Sequence, residues 1–280
     1  MHKTQGSAFE NYEATHSNYD LTRLPLGASD ILKDTEDCSG LSLIDCGCGT
    51  GLHLSAFASH AQFAQLRGLD ASATGVRRTQ EKLRAFGHVQ VQEGDICSAP
   101  FADSSFNVAL YSFVLHHLRG DKASERELNT SLVLAEARRV LQPAGRIYVI
   151  TCTREQMSEA GCMWYYRYFP EGAQALAERF LDLPVLKELL VKNGFRDIQT
   201  RLPEHPEWTP LSFDTEGPFQ QHWRDGDSMF AYYRDKEDLL HERLQNLRAE
   251  IRSGKAQSQI EAVKQRTETI GQAVLIAARR

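Results

Sequence analysis

No run of about 18 consecutive apolar residues occurs in this 280-residue chain, so the sequence offers no membrane-spanning helix. Cysteine is scarce, with six residues at 38, 46, 48, 97, 152 and 162. That is too few for a disulfide scaffold of this length, and free thiols in a reducing compartment are expected. An excess of positive charge is also missing. The formal net charge is −5, so the overall field repels nucleic acid and anionic membrane, although a local basic patch is compatible with that total. The opening MHKTQGSAFENYE lacks the apolar segment of a signal peptide, which makes a cytoplasmic location the expectation. There is no internal repeat and no low-complexity tract. The remaining balance, 41% hydrophobic and 25% charged, suits a globular protein of one large domain, or one domain with a cap.

Along the chain, short apolar runs alternate with helical patterns. LSLIDC (41–46) reads as a buried strand running into glycines, followed by a helix over 52–62. QLRGLD (65–70) is a second strand, Ser72 caps a helix reaching about Phe86, and HVQVQEGD (88–95) is a third strand. A fourth begins FNVALYSFVLHHL (106–118). A helix covers about 124–141, stopped by Pro143 and Gly145, and RIYVITC (146–152) is a fifth strand. A helix at 184–193 ends at Gly194, FRDIQTRL (195–202) is a strand, a charged helix spans about 236–252 with a solvated face, and TIGQAVLIAAR (269–279) is the last strand. This alternation predicts a parallel sheet with helices on both faces.

LIDCGCGTG (43–51) poses a choice between a cysteine site and a glycine loop. C-x-C alone lacks the second half of a metal site, so no metal is expected and Cys46 and Cys48 read as small fillers. The glycines allow close backbone approach to a ligand at a strand-to-helix turn. The nicotinamide pattern G-x-G-x-x-G fails because position 52 is Leu52, and no Gly-Lys-Ser/Thr follows as in a phosphate loop.

The actual pattern, D-x-G-x-G-x-G, resembles the nucleotide-binding motif of S-adenosylmethionine-dependent methyltransferases with the Rossmann-like fold. GLDAS (68–72) resembles their second motif, EGDI (93–96) the third, FNVALYSFVLHHL the fourth, and ARRVLQPAGRIYVIT (137–151) the following helix and strand. The family often has Asp where this chain has Asn107. The likeness covers roughly 41–152, with weaker likeness at 184–202 and 268–279. It implies a doubly wound, mostly parallel seven-stranded α/β sheet with its last strand antiparallel. It also implies S-adenosyl-L-methionine as cofactor, held by Asp45, Gly47, Cys48, Gly49 and Gly51, by Asp70 and Ala71, by Asp95 and Ile96, and by Tyr111. A ribose diol matches a carboxylate accepting two hydrogen bonds, as Asp70 offers, and an adenine amine matches the acceptor Asp95. Cysteine-dependent arsenite methyltransferases share the fold, but these six cysteines do not reproduce their arrangement.

The expected organisation is an N-terminal lid segment (1–35), a cofactor-binding core (36–153), substrate-cap insertions (154–182 and 203–260), and the rest of the core (183–202 and 261–280). In relatives a segment before the first strand closes over the cofactor. Tyr12, Tyr19 and Arg23 lie there, with Tyr19 and Arg23 candidates for the methionine carboxylate; the other reading is an amphipathic lid helix with a surface arginine. His116 is the candidate general base, His117 a candidate substrate contact, and a structural role for the pair is the alternative. Among the cap aromatics Trp164, Tyr168 and Trp223 are candidate substrate contacts, with a core role as the alternative; such walls suit a flat apolar acceptor or a cationic one. The function expected is methyl transfer to a small-molecule acceptor. The rivals are methylation of protein or nucleic acid, for which YSFV lacks the Asn/Asp-Pro-Pro-aromatic signature of many nucleic-acid enzymes, and a non-catalytic cofactor-binding protein. Oligomeric state stays open.

Overall fold

A computed structural model of the chain describes residues 19–157 and 163–280. Tyr12, most of the N-terminal lid and Cys162 lie outside these residues. Seven strands form one sheet: β1 (Leu41–Cys46), β2 (Phe63–Asp70), β3 (Val89–Glu93), β4 (Phe106–Ser112), β5 (Leu141–Thr151), β6 (Arg196–Arg201) and β7 (Val274–Arg279), in the order β3-β2-β1-β4-β5-β7-β6. The pairs β1–β2, β2–β3, β1–β4 and β4–β5 are parallel, and β7 runs antiparallel to both β5 and β6. The expected seven-stranded α/β sheet with its last strand reversed is therefore present.

Strand alternation explains why the apolar runs are nearly continuous. Successive side chains point to opposite faces, and helices bury both faces of a parallel sheet. Leu43, Leu66, Val108, Leu110, Tyr148 and Ile150 enter one core, while Ile44, Leu69, Ala109, Tyr111, Ile147 and Val149 enter the other. The second core is closed by Val133, Leu134 and Ala137 of the helix Ala123–Val140 and by Leu186, Leu189 and Leu190 of the helix Leu183–Lys192. No helix among the described residues is long and apolar enough to cross a membrane.

Two local readings are corrected. The fifth strand begins at Leu141 rather than after Gly145, with Pro143 and Gly145 inside an irregular stretch where the β4–β5 register shifts and Ala144 takes a φ of 63°. A β-bulge tolerates proline because the ladder is already interrupted there. The chain also does not run from the charged helix straight to the last strand. A further helix, Lys255–Ile270, intervenes, burying Ala256, Ile260 and Val263 at helical spacing. The expected boundary at 260 falls inside it.

The material expected to form a cap follows β5 and lies between β6 and β7. It consists mainly of short turns and helices: Tyr166–Tyr168, Pro170–Ala177, Pro210–Phe213, Gly217–Phe219, Gln221–Arg224 and Ser228–Tyr233. The N-terminal segment is tied to it by a β-bridge between Arg23 and Trp208 and by Leu24 N–H donating to the Glu207 carbonyl.

Asn107 has a structural task. Its side-chain oxygen accepts from Ser42 N–H at 2.9 Å, and its amide nitrogen donates to Gln142 Oε1 at 2.8 Å, so one amide joins β1, β4 and β5. A carboxylate could not donate to Gln142 Oε1, and would pair with that side chain only with the Gln142 amide turned round. Asn107→Ala should lower unfolding free energy by about 1–3 kcal/mol, because Ser42 N–H loses its acceptor. Urea denaturation measures this, and an unchanged midpoint would refute the assignment.

Candidate active site

The glycine loop leaves β1 at the sheet's C-terminal edge. β1 lies between β2 and β4, where the chain order reverses, and such switch points open a crevice for ligands in doubly wound sheets. Gly47 has φ 79°, and a Cβ there would sit 2.4 Å from Val114 Cγ2. Gly51 has φ 76° and a Cβ would meet Thr79 Cγ2 at 2.4 Å. Both positions therefore demand glycine on conformation and on space.

Asp70, ending β2, braces this loop. Its Oδ2 accepts from Gly49 N–H at 2.7 Å and its Oδ1 from Ser72 N–H at 2.8 Å. Ser72 in turn caps the helix Ala73–Leu83, its hydroxyl accepting from Gly75 N–H at 3.2 Å. Asp95, just past β3, accepts from Cys97 N–H at 2.8 Å. Asp45 differs: it is 1% exposed, lines the cavity, and accepts no hydrogen bond among the described residues. Burial, with the Asp70 charge as a second cause, pushes its carboxyl up to about 8.

A cavity of about 220 Å³ runs from this loop to the cap. Of the cofactor candidates, Tyr19, Arg23, Asp45, Gly47, Cys48, Gly49, Asp70, Ala71, Asp95 and Ile96 line it. Gly51 and Tyr111 do not. Gly51 turns the chain behind Thr50, which does line the cavity. Tyr111 is carried by strand alternation into the core beneath the helix Ala123–Val140, hydrogen-bonded to Cys46, while its neighbour Ser112 reaches the cavity. Cys46 and Cys48 enter different cores, and burial holds both thiols protonated. That placement suits small fillers rather than a chelating pair.

His116 and His117 both line the far end. His116 is buried and stacked on Phe180, ring centroids 4.2 Å apart at 24°. Desolvation first, then His117 and Arg179, keep it far below the ordinary histidine range, so the ring is neutral. Trp164, Tyr168 and Trp223 are misplaced by the sequence reading, since none lines the cavity. Trp164 and Trp223 are buried in the core that also covers one face of the sheet, their indole N–H groups donating to the carbonyls of Ser212 (3.0 Å) and Leu211 (3.4 Å). Large aromatic surfaces are the cap's main source of burial, which draws these residues inward.

The cap instead contributes Glu207 and Asp227, which the sequence did not single out. Arg23, also buried, pairs through Nε with Glu207 at 3.2 Å and through Nη2 with Asp227 at 3.0 Å. Asp227 further accepts from the hydroxyls of Tyr165 and Tyr166 and from Met229 N–H. Glu207 Oε1 also accepts from Gln272 Nε2 at 3.2 Å. Arg23 is thus committed to protein carboxylates, a correction to the reading that gives it the methionine carboxylate. At the cavity's other side Asp20 accepts from Thr50 Oγ1 and, at 2.5 Å, from Lys82 Nζ, holding the N-terminal segment against the glycine loop.

A carboxyl raised in the folded state binds protons there that the unfolded chain, at about 3.9, releases. Asp45 therefore costs the ligand-free fold increasing stability as pH rises from about 4 towards about 8. Asp45→Asn removes that cost, so its melting temperature minus that of the unaltered chain should grow between pH 5 and pH 8. Parallel melting curves check this, and a pH-independent difference would show that Asp45 is ionised without penalty.

A family model described as a methyltransferase domain matches residues 44–149. An uncharacterised 37.1 kDa protein of transposon TN4556 from Streptomyces fradiae is 35% identical over 109 residues, covering 39% of this chain and 29% of that protein. The chain thus matches less than a third of that relative's length. A demethylmenaquinone methyltransferase of Lactobacillus johnsonii is 24% identical over 174 residues, 55% of this chain and 68% of the relative. A malonyl-[acyl-carrier protein] O-methyltransferase of Erwinia billingiae is 27% identical over 173 residues, 58% and 62% respectively. Among solved structures, a putative methyltransferase from an antibiotic biosynthesis pathway of Anabaena variabilis superposes with a TM-score of 0.69 at 20% identity, covering 91% of this chain and 98% of that one. A geranyl diphosphate C-methyltransferase from Streptomyces coelicolor gives 0.52 at 18% identity, covering 90% and 74%. The glycine loop, the acids closing β2 and β3, the strand order and the match over 44–149 agree, and residues 44–149 carry a methyltransferase domain on a Rossmann-like fold.

Proposed function

We propose that this chain transfers a methyl group from S-adenosylmethionine to a small-molecule acceptor by in-line displacement. One observation carries the reading: a single cavity joins the loop carboxylates to a second polar and aromatic end beneath the cap. The cofactor fits the first end. Asp45 is a buried carboxyl without a hydrogen-bond donor among the described residues, matched by an ammonium group. The oxygens of Asp70 each hold one backbone N–H and keep acceptor capacity for a diol, and Asp95 offers an acceptor for an amine. When bound, the cofactor supplies a methyl group on positively charged sulfur, already activated for transfer.

The chain's own contribution is then to hold, align and shield. The N-terminal segment and the cap cover the cavity through the Asp20 and Arg23 contacts, which limits water and fixes approach. His116 lies at the acceptor end, but the burial that keeps its ring neutral also makes it a weak proton acceptor. We assign it to positioning, as a wall stacked on Phe180, with His117 beside it. An acceptor enclosed under a cap, with net charge −5 overall, favours a small molecule over nucleic acid. The named relatives include an O-methyltransferase and a C-methyltransferase, so their names do not choose the acceptor atom.

Titration calorimetry should show binding of S-adenosylmethionine and its demethylated product, and none of NAD. Asp70→Ala should weaken that binding about 10- to 100-fold, the value of a charge-assisted hydrogen bond; unchanged affinity would remove Asp70 from the site. Turnover of labelled cofactor with a metabolite extract separates an enzyme from a silent binding protein. With an acceptor in hand, His116→Phe preserves the stack and should keep kcat within about tenfold, whereas a general base contributes about 10²–10⁴-fold. A loss in that range would make His116 the base.

A further inference from the structure

The acceptor end contains an uncompensated acid. Arg23 is a single cation facing two carboxylates, Glu207 and Asp227, each 6% exposed. Asp227 is saturated by Arg23, two tyrosine hydroxyls and Met229 N–H. Glu207 is not. Both of its donors, Arg23 Nε and Gln272 Nε2, meet Oε1. Its Oε2 accepts nothing among the described residues, although Glu207 lines the cavity. Burying an acceptor without a donor is costly unless something brings one.

The surroundings narrow what that is. Tyr166, hydrogen-bonded to Asp227, lines the same cavity, as do Phe113, Phe180, Met157 and Met163. Aromatic faces and methionine sulfur favour a cation over an anion. The nearby cations do not serve an anionic acceptor: Arg23 is spent on the two carboxylates, and Arg119 sits exposed at the rim. We propose that the cap end of the cavity takes an acceptor bearing an ammonium group, held by Glu207 Oε2 against the aromatic wall. This rests on the methyltransferase reading and deepens it by naming the acceptor's chemical class. The ammonium need not be the atom methylated. It supplies the charge that the Arg23–Glu207–Asp227 set lacks, and burial that lifts the empty Glu207 to about 7 is relieved when a cation arrives.

Three probes of one shape and different head groups test this: phenethylamine, phenethyl alcohol and 3-phenylpropanoate. Each is titrated calorimetrically into the full chain saturated with S-adenosylhomocysteine, so the cofactor's own ammonium is already accommodated. Phenethylamine should bind about 10- to 100-fold tighter than the alcohol, as a charge-assisted contact implies, and the acid should bind most weakly. Glu207→Gln should bring the amine down to the alcohol's affinity while leaving S-adenosylhomocysteine affinity unchanged, and a melting curve on that variant confirms that it folds. Equal or better binding of the alcohol or the acid, or no binding of the amine, overturns the proposal. So does loss of S-adenosylhomocysteine affinity in Glu207→Gln, which would give the free oxygen to the cofactor. If S-adenosylhomocysteine itself does not bind the unaltered chain, the methyltransferase reading fails instead, and the two failures stay distinct.

Discussion

The Asp70 carboxylate is the joint on which the cofactor end depends. Two of its lone pairs hold Gly49 and Ser72 N–H groups, so one side chain fixes both the glycine loop after β1 and the capped helix after β2. A loop of three glycines has high conformational entropy when free, and without such a brace it would not present a constant surface. Ionised carboxylates accept backbone N–H bonds about twice as strongly as neutral groups do. The same residue keeps accepting capacity, so under the proposed function loop order and ligand recognition share one group.

Two carboxyls thus face each other at the end of β1 and β2, and they differ because their donors differ. Asp70 is paid for by backbone amides. Asp45, 1% exposed, has no such partner and is raised by burial beside the Asp70 charge. Under the proposed function this is the stability cost of a site prepared for the cofactor's ammonium group. A parallel arrangement recurs under the cap, where Arg23 compensates Asp227 fully and Glu207 in part. The cavity is therefore acid-rich at both ends, bridged by aromatic and sulfur-containing walls, and closed by a segment anchored at Asp20 on one side and Arg23 on the other.

Much of the sheet was legible because its signals are local. LSLIDC followed by glycines, and the acids closing β2 and β3, mark strand ends through backbone geometry that depends on neighbours in sequence. The double-faced apolar runs gave the parallel sheet. The helix Lys255–Ile270 was missed because its stripe is sparse, only Ala256, Ile260 and Val263 within a polar segment. Leu141 was misplaced because Pro143 reads as a breaker, whereas a bulge accommodates it. The aromatics of the cap were misjudged for a different reason. Trp164 and Trp223 look like pocket walls in a proline-rich stretch, but side chains of that size are what a small cap uses to bury itself.

Sequence alone therefore determined the alternation of strands and helices, the glycine loop and the acids Asp45, Asp70 and Asp95, since each is specified by residues within one strand–turn–helix unit. The acceptor end was decided only by tertiary structure. Arg23 and Asp227 are 204 residues apart; Arg23 reads by itself as a ligand for the cofactor, and Asp227 does not stand out at all. Their meaning, and that of the free oxygen on Glu207, comes from a sum of charges brought together in a low-dielectric space. No local pattern encodes that sum, because burial and charge pairing are properties of the packed chain.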